Sequence, residues 1–385
     1  MTRPLDGIVV VALEQAVAAP FATRQLADLG ARVIKIERVD GGDFARHYDD
    51  SLGAGFSSWF VWLNRSKQSV ALDVRSAPGR HRLHQLLGHA DVFVQNLAPG
   101  AADRLGCSPT ALHKANPRLV TCSVSGYGPD GPYRDRKAYD LLIQSEAGLV
   151  SLTGSPEHQA KAGLSVVDIA GAMYAYSGVL AALLQRASTG EGTHVEVSLF
   201  DCLLEWRSHQ LTITEMLGQV PKRAGAAHAT IAPYRPYRCA DGREVVVAVQ
   251  NAREWDRLCK ALDMPRLAEE ARFATNSARV SAGEELDAVL GGRIAEITSD
   301  DLIGRLERAE LAWASINDMP AVLAHSQLAA RDRWMDVVTP GGSYRALRSP
   351  IDISGAPAAV GPVPRLGAHT EEVLAWLDEL EGPAS

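Results

Sequence analysis

Residues 8–13 read IVVVAL and residues 33–37 read VIKIE, and these two apolar runs decide the fold. Each has the length and composition of a buried parallel strand. Between them, residues 20–29 have a helical pattern, and Gly30 follows where a helix C-terminal cap is expected. The pattern predicts a β–α–β unit, in which the two strands lie side by side in a parallel sheet.

The same alternation continues along the first half of the chain. Further strands are predicted at 69–74, 91–95, 118–125 and 193–197, and helices at 77–87, 101–105 and 169–185. This predicts an α/β fold with a parallel sheet that is covered on both faces, as in a Rossmann-like domain.

The second half predicts a smaller α+β domain. Residues 234–240 and 243–249 predict a hairpin, because the Asp241-Gly242 pair between them favours a tight turn. Helices are predicted at 252–262, 284–296, 300–309 and 370–380, and residues 205–232 are predicted to be irregular. We therefore expect a large Rossmann-like domain at 1–205 completed by a Pro-rich C-terminal return at 326–385, a linker at 206–224 and a small domain at 225–325.

Composition and charge limit the classes of function. The chain has 385 residues, of which 46% are hydrophobic and 22% charged, as in ordinary globular proteins. Its net charge of −7 argues against a protein that binds nucleic acid along its surface. Residues 1–150 carry 17 Lys and Arg against 15 Asp and Glu, a net of +2, whereas residues 151–385 carry 22 against 31, a net of −9. The first part is thus the place to expect an anionic ligand.

Cysteine usage and hydropathy indicate the compartment. The five cysteines are scattered without a Cys-x-x-Cys pair, which predicts free thiols in a reducing compartment. No run reaches ~18 apolar residues, and the first residues do not have the pattern of a signal peptide. We expect a cytoplasmic protein without a membrane partner.

Several common sites are excluded by their motifs. The first βα turn reads EQAVAAP at 14–20 and lacks G-x-G-x-x-G, so an NAD site is rejected even though Glu37 ends the second predicted strand. The chain has no P-loop and no Gly-x-Ser-x-Gly. No metal site is predicted, because His81 and His84 have no third ligand nearby in sequence and are typical of a solvated helix face.

Basic residues lie near predicted strand ends in the first half, where open α/β sheets bind ligands. They are Lys35, Arg38, Arg65, Lys67, Arg75, Arg104, Arg134, Arg136 and Lys137. Taken singly, each is explained as an ordinary cation on the solvated surface. As a set, these cations favour a polyphosphate ligand.

Asp168 is the most informative single residue. It precedes an apolar helical run that begins at Ile169, so an N-cap is one interpretation. In the functional interpretation the helix N-terminus keeps the carboxylate ionised, and Gly171 with its small neighbours leaves room for a ligand. An ionised, accessible carboxylate can attack an activated acyl group. The residue pattern leaves both interpretations open.

Nine segments in order along the chain match one family of enzymes. They are PLDGI at 4–8, LGARVIKIE at 29–37, NRSKQSVALD at 64–73, DVFVQNLAPG at 91–100, SGYG at 125–128, Tyr139-Asp140, Val167-Asp168-Ile-Ala-Gly, TGEG at 189–192 and LGAHTEEVL at 366–374. Through them the chain resembles the family III CoA-transferases, also called the CaiB/BaiF family, which includes formyl-CoA transferase, carnitine CoA-transferase and α-methylacyl-CoA racemase. The resemblance covers almost the whole chain and implies an interlocked homodimer.

The resemblance also implies the site residues. Asp168 matches the family's nucleophilic aspartate, acyl-CoA is a substrate, and neither a tightly bound cofactor nor a metal is implied. The implied CoA-binding residues are Gln15, Ala16, Val17, Ala18, Arg38, Leu72, Arg75, Asn96, Leu97, Arg104, Lys137, Tyr139 and Asp140.

The implied reaction moves CoA from an acyl-CoA to a small carboxylic acid through aspartyl anhydride and aspartyl-CoA intermediates. Residues 59–67 and 231–234 look more like members that act on C4–C5 dicarboxylates such as mesaconate, itaconate or citramalate, with succinyl-CoA as a possible donor. The alternatives are an α-methylacyl-CoA racemase, formyl-CoA transferase-type activity and a CoA-binding protein without turnover. Tyr139 stands where racemases have His, and Val17 stands where formyl-CoA transferases have Gln, so both enzymatic alternatives are disfavoured.

Overall fold

The two apolar runs near the start of the chain are neighbouring parallel strands in a computed structural model, which describes residues 2–52, 56–339 and 341–382. Strand β1 (Val9–Leu13) lies beside β2 (Arg32–Glu37), and helix α1 (Ala18–Asp28) connects them. Val10 is opposite Val33 in the register, and both are buried. The predicted β–α–β unit is confirmed.

Four more parallel strands complete a six-stranded sheet. They are β3 (Lys67–Ala71), β4 (Val92–Gln95), β5 (Val120–Ser125) and β6 (His194–Ser198). The strand order is β3-β2-β1-β4-β5-β6, and every neighbouring pair is parallel. This is the order of the doubly wound Rossmann sheet, whose switch point lies between β1 and β4.

Helices flank the sheet. Those of the same compact unit up to residue 206 are α2 (Ser58–Asn64), α3 (Ala77–Gly88), α4 (Ala101–Arg104), α5 (Pro109–Ala115), α6 (Asp140–Glu146), α8 (Val166–Thr189) and α9 (Leu199–Trp206). Helix α7 (Leu149–Leu152) belongs to the second compact unit. Helix α8 packs on α1, β5 and β6. Among the described residues, only α8 is long and apolar enough to span a membrane by length and composition, a test that the core helix of a soluble protein also passes.

The next part of the chain contains a small antiparallel sheet, in the order β7-β8-β9. Its strands are β7 (Tyr234–Arg238), β8 (Glu244–Ala248) and β9 (Ala312–Ser315). The helices are α10 (Ser208–Leu217), α11 (Ala252–Ala261), α12 (Asn276–Ser281), α13 (Gly283–Ile294), α14 (Ser299–Arg308), α15 (Met319–Leu323) and α16 (Ser326–Ala330). The predicted hairpin is confirmed, but the irregular segment predicted at 205–232 is wrong in part, because it contains α10.

The last part of the chain holds a hairpin and a helix. Strands β10 (Trp334–Thr339) and β11 (Gly342–Leu347) are antiparallel, and α17 (Thr370–Glu381) follows. Val373 and Leu377 of α17 pack in one hydrophobic core with Leu83 of α3 and Ile34 of β2. The final helix was predicted, whereas the hairpin was not.

The described residues form two compact units. The first draws on Met1–Ala147, Ala162–Ser208 and Arg331–Ser385, and the second on Gly148–Lys161 and His209–Ala330. The second unit has its own core, which includes Trp255, Phe273 and Leu290. The predicted domain limits stay a prediction, and residues 1, 53–55, 340 and 383–385 within them lie outside the described residues.

Candidate active site

The carboxyl ends of β1 and β4 are joined by the side chain of Asn96. Its Oδ1 accepts a hydrogen bond from the Gln15 backbone N–H at 2.9 Å, and its Nδ2 donates to the Gln15 carbonyl at 2.8 Å. Because β1 and β4 flank the switch point, these two residues lie where doubly wound sheets bind ligands. The structure thus brings together two residues that the sequence analysis predicted as CoA contacts.

The turn between β1 and α1 has an unusual backbone at Ala16. Its φ is +61°, in the left-handed region that glycine adopts most easily. The Ala16 N–H donates to Asp43 Oδ1 at 2.9 Å. Val17, the N-cap residue of α1, and Ala18, its first residue, are both buried. At these two residues the turn therefore has mainly backbone groups to offer a ligand.

A buried cluster of charges lies beneath this turn. Lys35 Nζ donates to Asp43 Oδ2 at 2.7 Å and to Glu14 Oε1 at 3.3 Å, and Lys67 Nζ donates to Glu14 Oε1 at 2.7 Å. Although burial opposes it, the carboxylates of Asp43 and Glu14 raise the pKa of Lys35. The prediction that Lys35 and Lys67 lie at the surface as candidate phosphate ligands is wrong, because both ammonium groups are buried in ion pairs.

Arg65 is a third predicted surface cation that the structure buries. Its Nη2 lies 2.6 Å from Asp28 Oδ2, and the residue is 1% exposed. Glu37 is also occupied, since Arg46 donates to both of its carboxylate oxygens at 2.7 and 2.8 Å. Burial opposes ionisation of Glu37, but Arg46 holds its pKa at about 2. The Glu37 carboxylate at the end of β2 is thus bound by a side chain of the protein itself.

The other predicted cations remain accessible. Arg38, Arg75, Arg104 and Lys137 are exposed, and the Arg38 Nε donates to the Gly42 carbonyl at 3.2 Å. Arg38 and Arg75 follow β2 and β3, so they lie at the carboxyl edge of the sheet.

Leu72 and Leu97 also follow strands at this edge. The Leu72 N–H donates to the Glu37 carbonyl at 2.9 Å, and the Leu97 N–H donates to Gln95 Oε1 at 2.8 Å. Arg136 pairs with Glu146 at 3.3 Å and stacks over Tyr133, and Arg134 pairs with its neighbour Asp135.

Asp168 lies in the first turn of α8 and is not its N-cap, so that prediction is wrong. The helix begins at Val166, with Ser165 as N-cap residue. A carboxylate from another element supplies the hydrogen bonds instead: Asp140 Oδ1 accepts from the backbone N–H of Val167 at 2.9 Å and of Asp168 at 3.4 Å. The Asp168 side chain is therefore not used in capping its own helix.

The prediction that the helix N-terminus keeps Asp168 ionised is also wrong. Burial, and secondarily the negative charge of Asp140, raises the pKa of the Asp168 carboxyl to about 7. Desolvation and the second carboxylate outweigh the favourable helix terminus. Near neutral pH both protonation states of Asp168 are populated, as suits a carboxyl that acts in chemistry.

Gly171 does not leave space for a ligand. A Cβ placed there would lie 2.3 Å from Leu199 Cδ2, because α9 packs against α8 at this point. Ala170 and Ala172 are buried as well. The small residues after Asp168 serve helix packing, so the predicted ligand space at Gly171 is wrong.

Two tyrosines, Tyr48 and Tyr139, lie near the carboxyl groups of Asp140 and Asp168. Tyr139 precedes α6 and is 68% exposed, and Asp140 is the first residue of that helix. Partial burial raises the pKa of Tyr48, and the charges of Asp43 and Asp168 contribute to this shift. The sequence analysis missed Tyr48, because no motif connects its loop with Asp168, which is 120 residues away.

The described residues contain no group of three or more His, Cys, Asp or Glu arranged to hold a metal ion. The ring of His84, one of the two histidines considered as ligands, is instead 2.8 Å from the Leu105 carbonyl oxygen. All five cysteines are free and buried.

Known proteins of one family are similar to this chain. The sequence profile of CoA-transferase family III matches residues 5–370. A succinate–glutarate CoA-transferase of Agrobacterium fabrum is 33% identical over 99% of this chain and 98% of its own length. A succinyl-CoA–D-citramalate CoA-transferase of Chloroflexus aurantiacus is 30% identical over 97% of this chain and 93% of its own.

A solved structure is similar over its full length. The crystal structure of a CaiB/BaiF family protein from Brucella suis is 35% identical, with a TM-score of 0.85 over 98% of this chain and 100% of that one.

Proposed function

Because the chain belongs to CoA-transferase family III and is a CoA-transferase, we propose that it moves CoA from an acyl-CoA to a small dicarboxylic acid with Asp168 as nucleophile. The observation that carries this proposal is the position of Asp168. Its carboxyl is largely desolvated at the start of α8, beside Asp140, and its pKa is raised to about 7. A desolvated carboxylate is a stronger nucleophile than a solvated one, once it has lost its proton.

The proposed reaction begins with attack on the donor. The Asp168 carboxylate attacks the thioester carbonyl, the carbon–sulfur bond breaks, and CoA leaves as a thiolate, giving an aspartyl–acyl anhydride. The thiolate then attacks the aspartyl carbonyl of the anhydride and displaces the donor acid as a carboxylate. The product is an aspartyl-CoA thioester, so the free energy of the thioester is kept.

The second half of the reaction reverses these steps with the acceptor. The acceptor carboxylate attacks the aspartyl-CoA carbonyl and releases the CoA thiolate, which gives a second anhydride. The thiolate attacks the acceptor's carbonyl, and the Asp168 carboxylate is restored. No proton is consumed overall, so the buried carboxyl has to be ionised only when the acyl-CoA arrives.

We propose that CoA binds at the carboxyl edge of the sheet. The exposed cations there, Arg38, Arg75, Arg104 and Lys137, suit its phosphates. The turn at 15–18 and the residues that follow β3 and β4, Leu72, Asn96 and Leu97, lie at the same edge of the first unit. Tyr139 and Asp140 would lie at the end of the ligand next to Asp168.

A C4–C5 dicarboxylate is the proposed acceptor, with succinyl-CoA as donor. Two relatives support this class, since one is a succinate–glutarate CoA-transferase and the other a succinyl-CoA–D-citramalate CoA-transferase. The similarity that residues 59–67 and 231–234 show to members acting on dicarboxylates supports it as well.

We further propose that the protein is an interlocked, cytoplasmic homodimer with a large domain at 1–205 and 326–385, a linker at 206–224 and a small domain at 225–325. Large apolar side chains on and after α10 support the proposed dimer, because an exposed apolar surface is typical of a site that a partner chain covers. Met216, Leu217 and Val220 are 75%, 63% and 74% exposed. Light scattering at micromolar concentration tests the dimer, and a monomer would contradict it.

A panel of substrates tests the function. Succinyl-CoA is offered with glutarate, mesaconate, itaconate, citramalate, oxalate and formate, and the acyl-CoA products are read by mass spectrometry. We expect transfer to C4–C5 dicarboxylates, which Asp168→Ala abolishes. Transfer to oxalate or formate alone would favour the formyl-CoA transferase type. Solvent deuterium at the α-carbon of a 2-methylacyl-CoA would favour a racemase, and CoA binding without turnover of any substrate would contradict the proposal.

A further inference from the structure

We propose that Asp43 is a positioning residue for the CoA site: its carboxylate holds Ala16 in the left-handed conformation that shapes the β1–α1 turn. This inference rests on the proposed function, because it takes the turn at 15–18 to contact CoA. Asp43 itself lies beneath the turn and does not have to touch the ligand. It is 1% exposed, and the acceptor atom is its Oδ1, 2.9 Å from the Ala16 nitrogen.

The backbone at Ala16 requires such a partner. A non-glycine residue at φ +61° is less stable than in the right-handed region by about 1–2 kcal/mol, which is roughly a tenfold change in population. The hydrogen bonds of Asn96 fix Gln15 on one side of this residue. On the other side Val17 already leads into α1. The bond from Ala16 to Asp43 therefore falls on the strained residue itself.

Further hydrogen bonds hold both the carboxylate and the backbone of Asp43 in place. Its Oδ2 accepts from Lys35 Nζ at 2.7 Å, and its Oδ1 also accepts from the Ala45 N–H at 2.9 Å. Its own backbone N–H donates to Glu37 Oε2 at 3.0 Å. With both oxygens bonded, the Asp43 side chain cannot rotate without breaking a charged hydrogen bond.

The same cluster explains the lysine of the NRSKQSVALD segment, to which the proposed reaction gives no role. Lys67 donates to Glu14 at 2.7 Å and to the Pro20 carbonyl at 2.9 Å, so it connects β3 with the end of β1 and with the first turn of α1. Glu14 in turn lies 3.3 Å from Lys35. Two buried lysines and two buried carboxylates thus form one chain of ion pairs that ends at Ala16.

A double-mutant cycle tests the inference. Asp43→Asn keeps the shape of the side chain but cannot satisfy both of its neighbours. If its oxygen faces Ala16, its amide nitrogen faces the Lys35 ammonium; in the flipped orientation its amide nitrogen faces the backbone N–H groups. Ala16→Gly makes the left-handed conformation nearly free of strain. We expect Asp43→Asn to lower kcat/KM for acyl-CoA about tenfold in the wild-type background, and no more than about threefold in the Ala16→Gly background.

The second measurement does not depend on the reaction. Amide hydrogen exchange in the peptide that covers 14–20 should become faster in Asp43→Asn, and this increase should be smaller when Ala16→Gly is also present. If wild-type protein transfers no CoA, the proposed function fails while hydrogen exchange still decides on the role of Asp43. If Asp43→Asn does not fold, Asp43→Ser, which keeps an oxygen for the Ala45 N–H, takes its place in the cycle.

Asp28→Asn is the matched control. It removes a buried carboxylate of the same unit, which pairs with Arg65 at 2.6 Å and with Arg24 at 3.4 Å, both outside the turn at 15–18. Its effect on kcat/KM should be the same in both backgrounds at residue 16. Equal losses for Asp43→Asn in the two backgrounds, or unchanged exchange at 14–20, would overturn the inference.

Discussion

Replacing Asp168 by Asn should stabilise the protein, and more so as the pH rises. The folded carboxyl has a pKa of about 7, raised by burial and by Asp140, whereas an unfolded Asp titrates near ~3.9. Below pH ~4 both states hold the proton, and the group has no effect on stability. As the pH rises the unfolded chain loses its proton first, so the free energy of unfolding falls until the folded pKa is passed.

The size of this effect follows from the pKa difference. One pKa unit corresponds to about 1.36 kcal/mol of free energy. Between pH 5 and pH 8, the cost of ionising Asp168 in the folded protein relative to the unfolded chain grows by the equivalent of about two pKa units and then levels off. The free energy of unfolding of wild-type protein should therefore fall by about 2.5 kcal/mol relative to Asp168→Asn over this range. Asn keeps the volume of the side chain but does not titrate.

Urea denaturation at pH 5, 6, 7 and 8 measures the difference directly. Glu379→Gln, which changes an exposed carboxylate on α17, is the control and should follow wild type at every pH. A constant difference between Asp168→Asn and wild type from pH 5 to pH 8 would refute the raised pKa. A difference that shrinks with rising pH would show that the carboxylate is stabilised in the fold.

Four further outcomes follow from the same structure. Asp140→Asn removes the negative charge beside Asp168, so the midpoint of the pH–rate profile should move below 7; an unchanged or higher midpoint would contradict this. Arg104→Ala should raise KM for acyl-CoA about tenfold with little change in kcat, since it removes a charged contact of the proposed CoA site, whereas Arg253→Ala, at another exposed arginine, should change neither. Arg46→Met leaves Glu37 buried without its ion-pair partner and should lower the free energy of unfolding by about 3–5 kcal/mol in urea titrations, against less than about 1 kcal/mol for Arg257→Met, whose pair with Glu310 is 37% and 84% exposed. Gly126→Ala places a Cβ 2.1 Å from Ala138 Cβ and should displace residues 137–139, which raises KM; kinetics like those of wild type would exclude this.

The framework of the fold could be predicted because it depends on local patterns. The runs at 8–13 and 33–37 are too short for helices and too apolar for surface strands, so β1 and β2 follow from composition and period. The Asp241-Gly242 turn predicts the β7–β8 hairpin for the same reason. The hairpin of β10 and β11 was missed, because its exposed strand positions lack a continuous apolar run.

The electrostatics of the site could not be predicted, since they depend on partners that are distant in the sequence. In the sequence, Lys35 and Lys67 do not differ from lysines that lie at the surface. Only the fold brings Glu14 next to both of them. Asp168 has the signal of an N-cap, but Asp140, 28 residues earlier, takes over the backbone N–H groups of α8. The proposal that Asp168 is the nucleophile came from the resemblance, whereas its raised pKa needed the structure.

Trapping the aspartyl-CoA intermediate tests the central claim most directly. The protein is incubated with succinyl-CoA and hydroxylamine, and the peptide that contains Asp168 is sequenced by mass spectrometry. Hydroxylamine attacks the aspartyl carbonyl and releases CoA, so we predict a hydroxamate at Asp168 that depends on acyl-CoA and is absent from Asp168→Asn. An unmodified Asp168 during active turnover, or a hydroxamate on another carboxylate, would contradict covalent catalysis by this residue.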